Sequence, residues 1–272
     1  MRNLVELFET DIREYDRQSS KGNQLKWFAN QYWYKADYTG YEGLSEYVIS
    51  KLLNLSSLGK DEIIDYQTEE IKYKYMTYKG CKSKNFLPDG WSLITLERLF
   101  QNTYQNSLNK AIYTISDLEN RIRFLVEQTI RITDLQDFGK YISKLLTIDA
   151  VFFNEDRHTH NIAVLLDTNG KYHYCPIFDH GAGLLSDTTM DYPMNVPVLA
   201  LMENVQAKTI CTSFDEQLDI VEKCYGQHIK FSFGEKDIVK ALEEEDYYSA
   251  EVKDRVKEIL FHQRRKYQYL FK

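Results

Sequence analysis

An apolar run over residues 145–153 ends abruptly in Asn-Glu-Asp-Arg-His-Thr-His-Asn at positions 154–161. Buried charge is costly unless it is paired or binds a metal, so ionisable groups delivered by an apolar helix point to a site. Asp156 and Asn161 stand five residues apart, the Asp-x-x-x-x-Asn spacing of a kinase catalytic loop. In such a loop the Asp orients an attacking hydroxyl and the Asn holds magnesium. A second carboxylate, Asp179, follows two strand-like runs, 162–166 and 171–178, that flank Asp167-Thr168-Asn169-Gly170. Asn-Gly between such runs is the strongest short-range hairpin signal. With Asn169 and Gly170 as a two-residue turn, Asn161 faces Phe178 and His160 faces Asp179, across a ladder about 5 Å wide. Asn161 and Asp179 are therefore expected side by side, an amide oxygen and a carboxylate suited to a hard cation such as Mg2+. Asp156 lies in the loop that feeds the same hairpin mouth, and Gly181 and Gly183 permit a sharp turn after Asp179.

The elements that must position these groups divide near residue 90. Upstream, residues 19–24 (Ser-Ser-Lys-Gly-Asn-Gln) are turn-rich, and the aromatic stretch 25–35 reads as strand. Residues 40–53 read as a helix, with Thr39-x-x-Glu42 as a capping box and Leu44, Val48 and Leu52 as one apolar stripe. Residues 62–80 read as extended. Downstream, a helix is expected near 93–105. A second is capped by Ser116-x-x-Glu119 and carries Ile122, Leu125, Val126 and Ile130, and a third runs from about 135 to 153. The end of that third helix is apolar nearly all round and so buried on all sides. A charged helix over 249–270 closes the chain. The expected architecture is α+β: a β-rich N-lobe with one helix, residues 1–90, that grips nucleotide, and a mainly helical, catalytic C-lobe, 91–272.

The string Asp156-Arg157-His158-Thr159-His160-Asn161, with Phe178-Asp179-His180-Gly181 after it, resembles the D-R-H-x-x-N and D-x-G motifs of the HipA-like serine/threonine kinases, including their short, CtkA-like forms. The motif is shared with phosphatidylinositol kinases. The likeness extends over residues 19 to about 185. It implies a bilobal, protein-kinase-like fold that uses ATP and Mg2+, with Asp156 as catalytic base and Asn161 and Asp179 as metal ligands; His158 could stabilise the transferring phosphoryl group or simply satisfy hydrogen bonds. It implies that Ser19, Ser20, Gly22 and Gln24 form the phosphate-binding loop, that Lys35 contacts ATP, and that Glu46 is its helix partner. Residues 80–87, with Phe86, resemble the strand-and-hinge segment against the nucleotide. In several HipA-like kinases a loop serine is autophosphorylated and the enzyme silenced; Ser20, nearer Gly22, is the candidate. A protein substrate and an antitoxin partner are the implied partners. The chain departs from the pattern in three respects. It has no G-x-G-x-x-G loop, His180 replaces the Phe of D-F-G, and it is shorter than full-length HipA proteins with their extra N-terminal subdomain.

Other readings compete. His158-x-His160, with His173, His180 and Asp179, could ligate Zn2+ or Mn2+ in a metal-dependent phosphohydrolase. A pseudokinase that binds nucleotide is the non-enzymatic alternative, although Lys35, Asp156 and Asp179 are all present. A lipid headgroup is the alternative acceptor. Arg157 reads as structural, paired with a nearby carboxylate. Composition narrows the rest. A net charge of −7 over 272 residues argues against direct nucleic-acid binding. The four cysteines form no C-x-x-C pair, so zinc-ribbon and thioredoxin readings lack support. The acidic N-terminus lacks a signal-peptide apolar run, and no run approaches 18 apolar residues. No membrane association and a cytoplasmic address are expected, with export into a host cell left open.

Overall fold

The computed structural model describes residues 4–9 and 24–272. In chain order the elements are β1 (Leu4–Leu7), β2 (Lys26–Ala29), β3 (Tyr32–Ala36), α1 (Glu42–Leu53), β4 (Tyr66–Tyr73), β5 (Met76–Lys84), β6 (Ser92–Thr95), α2 (Leu96–Tyr104), α3 (Leu108–Thr114), α4 (Leu118–Thr133), α5 (Phe138–Phe152), β7 (Ala163–Leu166), β8 (Tyr172–Tyr174), α6 (Val198–Met202), α7 (Phe214–Tyr225), α8 (Glu235–Glu243) and α9 (Ala250–Lys266). The chain is α+β, as expected. It forms two compact units. One comprises residues 1–86, 178–205 and 230–272, the other 87–177 and 206–229. The first break falls close to residue 90, but two later segments return to pack with the first, so a single cut does not describe the chain. Among the described residues no helix is long and apolar enough to cross a membrane.

In the first unit a five-stranded sheet runs in the order β1-β4-β5-β3-β2. The aromatic stretch 25–35 is a hairpin rather than one strand: Ala29 pairs with Tyr32, and the two-residue turn between them holds Asn30 and Gln31 at φ 51° and 66°. Positive φ at both turn residues matches the right-handed twist of the flanking strands. Alternate residues then reach one face. Trp27, Tyr34 and Ala36 from this hairpin meet Leu7 and Ile71 in a buried cluster.

Helix α1 is packed against β4 and β5. Two glycines make that approach close. A Cβ on Gly43 would lie 2.7 Å from the Gly80 Cα, and one on Gly80 would lie 2.1 Å from the Lys35 carbonyl oxygen. The expected capping box is half formed. Glu42 accepts the Thr39 N–H at 2.7 Å and the Gly40 N–H at 3.1 Å, but the cap residue is Tyr41, whose side chain makes no capping bond and donates instead to the Leu184 carbonyl. A carboxylate from outside the helix does that work instead, Asp37 accepting the Gly43 N–H at 2.6 Å. The C-terminal segment closes the unit. Phe231 bridges both to Ser56, just past α1, and to Phe271.

In the second unit β6, β7 and β8 form an antiparallel sheet, and α5 packs against α4 and α7. The helix expected at 93–105 begins as strand β6 and becomes α2 only at Leu96, where Thr95 caps it through the Arg98 N–H. The cap of α4 is Asp117 rather than Ser116; its carboxylate accepts the Asn120 N–H at 2.8 Å. Helix α3 was not anticipated.

Candidate active site

Lys35 comes from β3 and Glu46 from the second turn of α1, so the glycine contact that seats α1 on the sheet also fixes their separation. The Lys35 Nζ donates to Glu46 Oε1 and to Asp179 Oδ1, both at 2.6 Å. The second oxygen of Glu46 accepts the His180 N–H at 2.8 Å, which anchors the residue next to Asp179 on the same carboxylate. Asp179 itself takes a left-handed backbone, φ 64°, which Asp tolerates better than most side chains. Tyr66 completes the surroundings: its hydroxyl accepts the Asp179 N–H at 3.4 Å, and the Lys35 ammonium lies 5.5 Å from its ring centre. Burial acts to pull the Lys35 ammonium down, but Asp179 and then Glu46 outweigh it and hold it well above the usual lysine range. One cation against two carboxylates leaves this triad one negative charge in excess, an electrostatic setting that suits a divalent cation.

In the second unit the loop 154–161 is tied at both ends. At its start Asp149, in the last turn of α5, accepts from the Asn154 amide at 3.1 Å and from Arg157 Nε at 3.0 Å. Arg157 thus pairs with a carboxylate, as the sequence suggested, and both partners are buried. At its far end the Thr159 hydroxyl donates to Glu97 of α2 at 2.7 Å, and the Ile162 carbonyl accepts the Leu96 N–H. Between these anchors the Asn161 amide nitrogen donates to the Asp156 carbonyl at 2.8 Å and to Asp156 Oδ2 at 3.0 Å. Committing its NH2 to Asp156 turns the Asn161 Oδ1 away from that residue, as an oxygen ligand requires. His158 Nδ1 accepts the His160 N–H at 3.2 Å, which leaves its proton on Nε2, 3.6 Å from Asp156 Oδ1. Burial lowers the His158 pKa, against the opposing pull of Asp156.

The hairpin behind the expected Asn161–Asp179 pairing is shorter and one residue out of step. Leu166 pairs with Tyr172 and Val164 with Tyr174, and the ladder goes no further. Asn169 and Gly170 lie within a five-residue loop, 167–171, that Asp167 organises by accepting the Asn169 and Lys171 N–H groups. Two residues past β8, Pro176 has no N–H to give a ladder. Strand pairing therefore does not carry Asn161 to Asp179. Asp179 instead packs in the first unit, through Lys35.

Among the remaining expectations, Phe86 and Phe178 meet with ring centres 5.9 Å apart and planes tilted by 39°, beside the buried cluster of Ile64, Tyr66 and Cys81. Ser19, Ser20 and Gly22 lie outside the described residues; Gln24 is described and half-buried. No group of three or more His, Cys, Asp or Glu disposed to hold a metal occurs among the described residues. His173 is bonded to Asp167 at 3.0 Å and stacked on Trp91 at 4.4 Å, an arrangement that gives the histidine-based metal site no support. A kinase site needs no such protein cage, since Mg2+ takes one or two protein oxygens and completes its shell with phosphates and water. Asp149 and Glu97 were missed. For Asp149 the signal was present, a single acid inside the otherwise apolar run 145–153.

No family description matches the chain, and no curated protein matches it in sequence. The fold is similar to that of the CtkA kinase, the short form that the catalytic-loop string resembles. The crystal structure of CtkA, a proinflammatory kinase of Helicobacter pylori, superposes with a TM-score of 0.60 at 17% identity, over 96% of this chain and 95% of that one. HipA of Shewanella oneidensis, solved with HipB and operator DNA, aligns with a TM-score of 0.41 at 12% identity, over 92% of this chain and 65% of that one.

Proposed function

We propose that the protein is an ATP- and Mg2+-dependent serine/threonine protein kinase of HipA-like type. The observation that carries this reading is the Lys35 ammonium held at 2.6 Å by both Glu46 and Asp179. Lys35 and Glu46 were singled out in the N-terminal half of the sequence and Asp179 far downstream, and the ion pair expected of the first two recruits the third. In this reading Asp156 accepts the proton of the acceptor hydroxyl as its oxygen attacks the γ-phosphorus, and ADP leaves as the bond to the β-phosphate oxygen breaks. Asn161 and Asp179 are the residues that would hold Mg2+, which when bound would neutralise charge on the phosphate oxygens. Lys35 steadies the phosphates, and Phe86 with Phe178 contributes apolar surface for the base. His158, with its Nε2 3.6 Å from Asp156 Oδ1, is placed to orient that carboxylate. Ser20 remains the proposed autophosphorylation site, and a protein hydroxyl the proposed acceptor.

The test is transfer of label from γ-labelled ATP in the presence of Mg2+. Asp156→Asn and Asp179→Ala are each expected to abolish it while the circular dichroism spectrum is retained. Transfer that survives in both variants would sink the assignment. Ser20→Ala is expected to reduce incorporation into the chain itself; label that maps elsewhere retires the loop serine.

A further inference from the structure

The sequence gives Arg157 a structural part, but its three donor groups do more than close an ion pair. Its Nε and Nη2 face Asp149, at 3.0 and 3.2 Å to Oδ2 and Oδ1 respectively, while its Nη1 donates to the backbone carbonyl of Asn161 at 2.9 Å. The Asn161 side chain in turn donates to Asp156. Asp149 also holds the Asn154 amide, whose Oδ1 accepts the Asp156 N–H at 3.4 Å, and the Thr209 hydroxyl donates to the Arg157 carbonyl. An unbroken path of hydrogen bonds therefore runs from the end of α5 through Asp149 and Arg157 to Asn161 and Asp156. Both ends of the ion pair are essentially inaccessible, at 0 and 2% exposure. A buried pair of this kind is poor value as a source of stability, since apolar residues of similar volume often serve as well. A guanidinium offers what they cannot: a planar fork that fixes two partners at set angles.

We propose that Asp149 and Arg157 are positioning residues for phosphoryl transfer, setting the Asn161 backbone so that its amide nitrogen faces Asp156 and its amide oxygen is left for Mg2+. The proposal rests on the kinase reading above. A lysine at 157 keeps the charge and can meet Asp149, but its one nitrogen lacks the planar fork whose separate nitrogens reach Asp149 and the Asn161 carbonyl at set angles. A shift of about 1 Å at a reacting group costs on the order of 100-fold in rate.

Arg157→Lys is the direct test, read by ADP release under Mg-ATP and by the Asn161 side-chain amide pair in 1H–15N spectra, identified by its loss in Asn161→Asp. The expected result is a folded protein whose kcat falls about 100-fold with the KM for ATP little changed, and whose Asn161 amide signals are displaced. A folded Arg157→Lys with the wild-type kcat and unmoved Asn161 signals overturns the proposal. Should Arg157→Lys fail to fold, Asp149→Asn/Arg157→Met removes both charges while keeping an acceptor for Asn154. That double variant is expected to fold and to lose activity to the same degree. If it folds with full activity, or does not fold, the pair serves the fold alone and the proposal falls. Asp156→Asn separates the two levels. ADP release that is absent from the wild type, or undiminished in Asp156→Asn, defeats the kinase reading, while the Asn161 signals still report whether Arg157 sets the loop.

Discussion

At the scale of single residues, the Lys35 triad is where charge, burial and function are most tightly bound together. Lys35 and Glu46 are 13 and 1% exposed and Asp179 23%, so solvent screens them little. Replacing Lys35 by Met leaves two carboxylates facing each other without their cation. Breaking a buried pair in this way costs about 3–5 kcal/mol, and the urea midpoint of Lys35→Met should fall accordingly. Adding Glu46→Gln and Asp179→Asn should restore much of it, since the repulsion goes with the charges. Should the single variant unfold at the wild-type midpoint, Lys35 is not the keystone the geometry makes it. The Lys35–Glu46 ion pair was legible only through the resemblance, which names both residues. Asp149 is hidden in the sequence, because the residues around it make the run apolar. The exception in that run was the informative position, since a lone buried acid must have a partner.

Elements were legible where one signal dominated and blurred where two were one residue apart. The amphipathic helices α4 and α9 fall close to their expected places, whereas the β2–β3 turn was hidden because Gln31 is an unusual residue at positive φ. The hairpin register slipped by one because Asp167, rather than Asn169-Gly170 alone, shapes the turn. The seating of α1 yields two predictions. With Gly80 wedged against the Lys35 carbonyl, Gly80→Ala must push β3 and β5 apart; overpacking of this kind costs about 1–3 kcal/mol. It should lower Tm and, on the kinase reading, weaken ATP binding as well, because the strand displaced carries Lys35. The second concerns Asp37, which accepts the Gly43 N–H and the Tyr248 hydroxyl at 2.6 and 2.7 Å. Burial, then the neighbouring Glu42 charge, push its carboxyl up to about 7, against the pull of Tyr248, Gly43 and Lys79. A carboxyl raised above its unfolded value binds its proton more tightly when folded. Its contribution is thus fully present below about pH 4 and is lost as pH rises toward 7, with a slope of at most about 1.4 kcal/mol per pH unit. Asp37→Asn resembles the protonated form and should flatten that part of the profile. Urea midpoints at pH 5 and pH 8 measure it; a wild-type drop equal to that of Asp37→Asn would show that Asp37 does not titrate in this range.

At the scale of the whole molecule the chain is less modular than its sequence suggests. Nothing in composition marks residues 178–205 and 230–272 as belonging with the first 86, and a division near residue 90 follows naturally from the change in pattern alone. The physical reason lies in α1. Leu44, Val48 and Leu52 make the stripe that the sequence reading picked out, but Tyr47, Ile49 and Leu53 are buried as well, and ten of the twelve helix residues are inaccessible. A helix buried nearly all round needs a cover on each side. The sheet supplies one through β4 and β5, and α8 supplies another. The same C-terminal stretch carries Tyr248, which holds Asp37, and Phe231, which joins the end of α1 to Phe271. A chain that stops at residue 229 therefore exposes a face of α1, and each large apolar side chain returned to water costs about 1.5–3 kcal/mol. Two or three such losses equal a large share of the 5–15 kcal/mol that holds an ordinary domain together. Residues 1–229 should consequently show no cooperative unfolding transition for the first unit, by tryptophan fluorescence of Trp27 and Trp33, while the α4, α5 and α7 helices of the second unit keep far-ultraviolet ellipticity. Were residues 1–229 to unfold at the full-length midpoint, α8 and α9 would be ornaments on a self-sufficient N-terminal lobe, and the cut near residue 90 would be the better description after all.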